Sequence, residues 1–315
     1  AAKSAGSLLK KNIFISKKIK SAYAFASALG LYEFFVNQKK VYDYMLCPGW
    51  TNYKERLLFQ TYDISDFLHS GENELKALLG AGWYKGKMGF ILSRNIYGKE
   101  TAFLCQIHVE YEDGSSEFFG TDESWIGTKK TPITFSEIYD GETYDARIKP
   151  DEKSWKKVHK VEYSKEVLFA QTNCFIKKHE CFHVKKIIRT PKNQTVMDFG
   201  QNMAGVVNLF AKGKSGDKIE LHFFEILDGD GNAYFDNLRT AKNTITYILN
   251  GNGTESFTPH FTYQGFRYAE VVSGAEQIDF DRTCVYALYS DMEETGNIKT
   301  SNDKLNRLVE NIHWG

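Results

Sequence analysis

Cysteine and proline are scarce in this chain, with five of each among 315 residues. Cys47, Cys105, Cys174, Cys181 and Cys284 form no Cys-x-x-Cys pair, and an odd count leaves at least one thiol unpaired. A zinc ribbon or a dense disulfide framework is therefore not expected, and the five read as mostly buried, reduced and structural. Charge of one sign is also lacking. Forty Lys and Arg balance forty Asp and Glu, and no dense basic run offers itself to a phosphate backbone, so nucleic acid is not expected as a partner. Long apolar runs are missing too. "AFASALGLY" at 24–32 is about half of the roughly 20 residues that a membrane-crossing helix needs, and a soluble protein with no membrane partner is expected. The opening "AAKSAGSLLKK" has neither the apolar core nor the cleavage site of a secretory signal. The compartment stays open, with the cytoplasm favoured over secretion.

Motifs for ions and phosphates fail in detail. Asp228, Asp230 and Asn232 alternate as a calcium loop does, but Ala233 and Arg239 stand where Gly and Glu are needed, which leaves a hairpin turn. "GAGWYKG" at 80–86 lacks the Gly-Lys-Ser or Gly-Lys-Thr ending of a phosphate cradle. His179 and His183 are four apart, but "KKHECFHVKK" reads as a turn and a strand, not as a metal-binding helix. Neither a metal nor a cofactor is expected.

Aromatic residues, in contrast, make up 15% of the chain, and short alternating runs bounded by Gly, Asn and Asp recur throughout. This pattern predicts a mainly β protein of two antiparallel, jelly-roll-like β-sandwich domains with a short C-terminal helix. The domains are expected at 1–150 and 160–290, divided near 148–165 by the polar "RIKPDEKSWKKVHKVEYSKE". "VNQKKV" predicts a hairpin, Ala102 to Tyr111 a strand turning at Glu112 to Gly114 into a second strand from Ser116. Further strands are predicted at 183–189, 204–211, 218–225, 243–249, 266–272 and 281–289. In residues 297–315, Ser301 offers an N-cap, and Leu305, Leu308 and Ile312, with Val309, make an apolar stripe. The helix either packs back on a sandwich or begins a further domain.

Two clusters invite chemistry. "IYDGETYDAR" gathers Asp140, Glu142 and Asp145, as an acid/base pair would need, although a turn at Asp140 and Gly141 with Asp145 paired to Arg147 is the simpler reading. "HFTYQGFRYAEV" at 260–271 packs four aromatic residues and His260 around Gly265 and Arg267. A core and inter-domain role is expected, with ligand contact as the alternative, Gly265 permitting a bend or a close backbone approach and Arg267 anchored to a carboxylate or to carbonyls.

"GWTNYKERLLFQTYDIS" (49–65), "GAGWYKGKMGF" (80–90), "IYDGETYDAR" (138–147), "MDFGQNMAGVV" (197–207), "NLRTAKNTITYILNG" (237–251) and "FTYQGFRYAEV" (261–271) follow one another in an order that resembles the N-terminal half of bacterial α-L-rhamnosidases of glycoside hydrolase family 78. The resemblance implies an N-terminal β-sandwich module, then a concanavalin-like sandwich, with 297–315 leading into a helical catalytic barrel. It also implies inverting hydrolysis of terminal α-L-rhamnosyl groups. The family's catalytic carboxylates match no position here, so the chain is expected to be inactive alone, and Gln264 stands where many relatives carry His. Its expected partners are L-rhamnose-containing glycans or glycosides and the missing helical catalytic domain, with self-association through the uncovered helix. Sugar contact is expected from Trp50, Tyr53, Trp83, Tyr84, Arg94, Asn95 and Tyr97, since aromatic faces stack on sugar C–H groups and planar polar groups take hydroxyls. The alternative is an independent lectin-like module.

Overall fold

The structure, a computed structural model, describes residues 4–88 and 93–314; Gly89 and Phe90, at the end of the "GAGWYKGKMGF" motif, lie outside the described residues. Strand takes 48% of the chain and helix 9%. That share is far below the third or so of an ordinary globular domain, and it agrees with the mainly β sandwich architecture.

Two sheets form the first sandwich. One runs in the order Lys156–Lys157, Ile126–Thr128, Ser7–Ile15, Gly71–Gly80, Leu31–Val36 and Lys39–Lys40. The other runs Leu168–Ala170, Leu57–Asp63, Ile19–Leu29, Ala102–Tyr111 and Ser116–Gly120. Period-two alternation decides which face is buried: in Ile19–Leu29, Ala22, Ala24, Ala26 and Ala28 enter the core while Tyr23 and Phe25 face water. The same core holds Phe34, Tyr62, Phe103 and Trp125. The hairpin across Asn37 and Gln38 and the pairing of Ala102–Tyr111 with Ser116–Gly120 follow the sequence expectation.

The second unit is a ten-stranded sheet whose backbone is the 18-residue strand Thr195–Lys212. Its first part pairs with Lys186–Arg189 and Gln264–Ser273, and its last part with Cys284–Ser290 and Thr254–Phe257. A single strand thus changes partners along its length, and a bulge interrupts its pairing with Gln264–Ser273. Between the pairs Asp198–Tyr268 and Met203–Phe266 four residues oppose Arg267 alone. Arg267 donates to both oxygens of Asp198 at 2.9 Å, and Asp198 also accepts from the Gly200 N–H at 2.7 Å. The arginine of "HFTYQGFRYAEV" therefore holds the bulge of "MDFGQNMAGVV". Phe199, Phe223 and Phe266 fill the core beside it.

Several expectations need correction. The sheets are not wholly antiparallel, because Gly141–Asp145 runs parallel to Thr244–Ile248, and Leu168–Ala170 parallel to Leu57–Asp63. Sheet membership also crosses the expected division near 148–165 in both directions. Ile133–Glu137 and Gly141–Asp145 join the ten-stranded sheet, while Lys156–Lys157 and Leu168–Ala170 return to the first sandwich. Gly265 makes no bend: it lies inside the continuous strand Gln264–Ser273, and an added Cβ would meet only Glu225 at 3.9 Å. "KKHECFHVKK" lies mostly in the strand Ile176–His183, so His179 is not in a turn. Asn302, not Ser301, caps the terminal helix Asp303–Trp314, accepting from the Lys304 N–H at 3.0 Å. As expected, Asp228 organises a hairpin turn, its carboxylate accepting from the backbone of Asp230 and Asn232.

The terminal helix does not pack back along its stripe. Leu305, Leu308 and Ile312 are 49%, 53% and 66% exposed. Trp314 alone of its apolar side chains reaches a core, meeting Phe182 edge to face.

Candidate functional site

The seven expected sugar-contacting residues converge where two loops of the first sandwich meet, but they divide into scaffold and surface. Tyr53 sits at the bottom, its Oη donating to the Gly49 carbonyl at 2.8 Å, while Tyr163 Oη donates to the Tyr53 carbonyl. The Tyr84 and Tyr97 rings lean on Tyr53 with centroids at 5.3 and 5.0 Å. Gly98 makes this packing possible, because a Cβ there would fall 2.0 Å from the Tyr84 hydroxyl. Backbone bonds from Asn95 N–H to the Lys85 carbonyl and from Tyr97 N–H to the Tyr84 carbonyl hold two segments of the second loop against each other.

Trp83 is buried and forms a floor on which Trp50 stacks, 6.0 Å away and 8° from parallel. Trp50 is 52% exposed, and its Nε1 donates to Tyr97 Oη at 3.5 Å. Arg94 and Asn95 are exposed at the margin and Tyr97 is half-buried, whereas Tyr53, Trp83 and Tyr84 are spent on support. The arrangement offers an indole face with neighbouring polar groups, a surface able to receive the C–H face and hydroxyls of a sugar.

The carboxylates behind this surface are committed elsewhere. Asp140 receives Lys87 Nζ at 2.5 Å and Arg94 at 3.4 Å, and Glu137 receives Arg94 and Ser4. Glu142 accepts from Ser136 Oγ at 2.9 Å and from the backbone N–H groups of His260 and Phe261 at 2.9 and 3.1 Å. Burial raises its pKa, and those donors with the charge of His260 offset only part of the rise. Asp145 is gripped by Arg147 at 2.9 and 2.8 Å, as expected. None of Asp140, Glu142 and Asp145 is exposed, so the "IYDGETYDAR" cluster is an internal brace and offers no open acid/base pair.

One buried group escaped the sequence reading. Glu33, in the first sandwich, accepts from Lys40 at 2.7 Å and pairs at 2.9 Å with Nδ1 of His260. Burial presses the Glu33 pKa upward, but His260 and Lys40 together hold it at about 2. Burial presses His260 downward, and the charge and hydrogen bond of Glu33, helped by Glu142, raise it above its ordinary value. Phe261 follows, buried against Gly80, whose absent Cβ would lie 2.4 Å from the ring. The "HFTYQG" stretch thus joins the two units, in keeping with the inter-domain role expected of it. Nothing in local composition marks Glu33 as its partner. Among the described residues no group of three His, Cys, Asp or Glu side chains is placed to hold a metal ion.

The family described as the alpha-L-rhamnosidase N-terminal domain matches residues 17–180, and the bacterial alpha-L-rhamnosidase concanavalin-like domain matches 188–289. An alpha-L-rhamnosidase of Streptomyces avermitilis is 35% identical over 308 residues, covering 95% of this chain and 30% of the relative. The crystal structure of native α-L-rhamnosidase from Aspergillus terreus superposes with a TM-score of 0.94 at 33% identity, covering 98% of this chain and 37% of that one. The structure of the Streptomyces avermitilis enzyme complexed with L-rhamnose gives a TM-score of 0.92 at 34% identity, covering 99% and 31%. The chain spans about a third of the length of the curated relatives it matches.

Proposed function

From a chain that belongs to the α-L-rhamnosidase family and spans about a third of its relatives, we propose a non-catalytic N-terminal portion of an α-L-rhamnosidase, which supports a helical catalytic domain and contacts sugar. The whole enzyme hydrolyses terminal α-L-rhamnosyl groups with inversion, using carboxylates supplied by that domain. The observation that carries the supporting role is the uncovered stripe of Leu305, Leu308 and Ile312, an apolar face on a helix that its own sandwich does not receive. Its natural cover is another helix, packed by the same ridges and grooves that build helical barrels.

Changing Leu305 and Leu308 together to Lys is expected to weaken self-association of this chain while moving its Tm by less than about 2 °C, as expected for exposed positions. Sedimentation and thermal melts check this. A clean monomer that the double change unfolds would assign the helix to the sandwich instead. The same chain is expected to release no phenol from an aryl α-L-rhamnoside, because its clustered carboxylates are buried and paired. Turnover that disappeared in Asp140→Asn would move catalysis into this portion and sink the assignment.

Exposed Trp50 favours a second reading, a lectin-like module that binds sugar unaided. Quenching of indole fluorescence by L-rhamnose, lost in Trp50→Ala, would support sugar contact at this cluster. A titration that is flat up to about 100 mM, well past the millimolar range of a few contacts, would remove it.

A further inference from the structure

A groove of about 450 Å3 opens beside the ten-stranded sheet and shares no lining residue with the Trp50 cluster. Its floor is aromatic. Tyr144 and Tyr247, on neighbouring parallel strands, lie 5.9 Å apart at 24°, and Phe257 stacks on Tyr247 at 4.8 Å and 17°. The rim is the turn at 250–253 and the strand Thr254–Phe257 that follows it, held in shape by one residue. Glu255 Oε2 accepts from Tyr247 Oη and Asn250 N–H, both at 2.9 Å, and Oε1 accepts from Gly251 N–H at 2.8 Å.

Glu255 is thus spent on organising the turn and fixing the Tyr247 ring. The side-chain amides of Asn250 and Asn252, the hydroxyls of Ser256 and Tyr144, and the outer nitrogen of His260 have no protein partner among the described residues. These five polar groups border an aromatic floor, and no Lys or Arg lines the groove. We propose that this groove is a binding site for a small neutral saccharide, with ring C–H groups against the aromatic floor and the amides of Asn250 and Asn252 taking paired hydroxyls. Its volume is at the lower end of the range of about 300–1,000 Å3 found for ligand sites, which suits one or two sugar rings. The lack of a lining Lys or Arg together with the carboxylate of Glu255 disfavours an anionic sugar where His260 is deprotonated, and the polar rim disfavours a lipid.

Amide chemical shifts of the chain titrated with L-rhamnose, D-galactose and D-glucuronate test the site. At least one neutral sugar is expected to give saturable shifts at Asn250, Gly251, Asn252 and Ser256, with a Kd in the millimolar range and D-glucuronate at least about tenfold weaker. Asn250→Ala with Asn252→Ala is expected to weaken this binding at least about tenfold while distant shifts keep the folded pattern, and Trp50→Ala is expected to leave it unchanged. No saturable shift at these amides with either neutral sugar up to about 100 mM overturns the proposal. Shifts indifferent to the double change, or stronger binding of D-glucuronate, overturn it too. Binding here in a chain whose Trp50 cluster ignores sugar would sink that cluster's role alone.

Discussion

Glu33→Ala is expected to destabilise the chain by about 3–5 kcal/mol near pH 6, the cost of leaving a buried charge without its partner. Glu33 is 9% exposed at its side chain and holds both Lys40 and His260, so its loss strands the imidazolium beneath the interface of the two units. The pH profile separates this from a packing defect. The His260 pKa is raised in the folded chain above 6.5, so its contribution is fully present below that value and is lost as pH rises through the folded pKa. The Glu33 pKa is lowered from 4.5 to about 2, so its contribution is present above 4.5 and lost as pH falls through that interval.

Glu142 works the other way. Its raised pKa makes ionisation cost stability as pH climbs from 4.5 through the folded value, which flattens the profile on the acid side. Lys40, near the same imidazole, opposes its charge. Urea unfolding of the unmodified chain is therefore expected to show stability declining from about pH 6.5 upward, by about 1.4 kcal/mol for each unit by which His260 is raised. In Glu33→Ala burial acts on His260 with much less opposition, and that alkaline decline should vanish. A variant that kept the decline would show that another group causes it.

The second large effect is expected at Glu142. Replacing it with Leu orphans the backbone N–H groups of His260 and Phe261 and the hydroxyl of Ser136, all of which it serves from a buried position. A loss of about 3–5 kcal/mol follows from two or three unsatisfied buried donors. Glu142→Gln keeps one acceptor oxygen for the backbone and removes a carboxyl that burial already penalises, so its cost is expected to be about 1–2 kcal/mol. Denaturant midpoints of the two variants decide the matter. Equal losses would mean that shape alone is served by this side chain, and that its hydrogen bonds contribute nothing net.

Much of the fold was legible wherever the signal is local. The strand Ala102–Tyr111 and its return from Ser116 follow from alternation and a turn at Asp113 and Gly114. Arg267 was expected to find a carboxylate and finds Asp198, although the bulge that needs it involves a strand 69 residues away. Long-range pairing was not legible. Gly141–Asp145 reads in sequence as the continuation of a turn, and its parallel neighbour Thr244–Ile248 lies about a hundred residues on. Glu33 and His260 are separated by 227 positions. At the helix start, Ser301 and Asn302 are both good caps, and only the course of the preceding chain selects the second. At the candidate site the aromatic motifs do come together, but sequence alone does not separate the exposed Trp50 from the buried Tyr53. Solvent exposure belongs to the assembled loops and not to the residue types.

The crossing of strands between the two units bears on how such chains can be recombined. A gene fusion cut at residue 150 would export Ile133–Glu137 and Gly141–Asp145 with the upstream half, taking two strands from the sheet left behind. Thr244–Ile248 would lose its parallel neighbour and present a bare edge, and the exported pair would carry a ladder with nothing to complete it. A cut after Ala170 would instead keep Leu168–Ala170 with Leu57–Asp63, yet still remove the same two strands from the downstream half. No single breakpoint in the polar connector yields two self-contained parts. Chimeras that exchange this portion between relatives should therefore inherit residues 4–290 as one block.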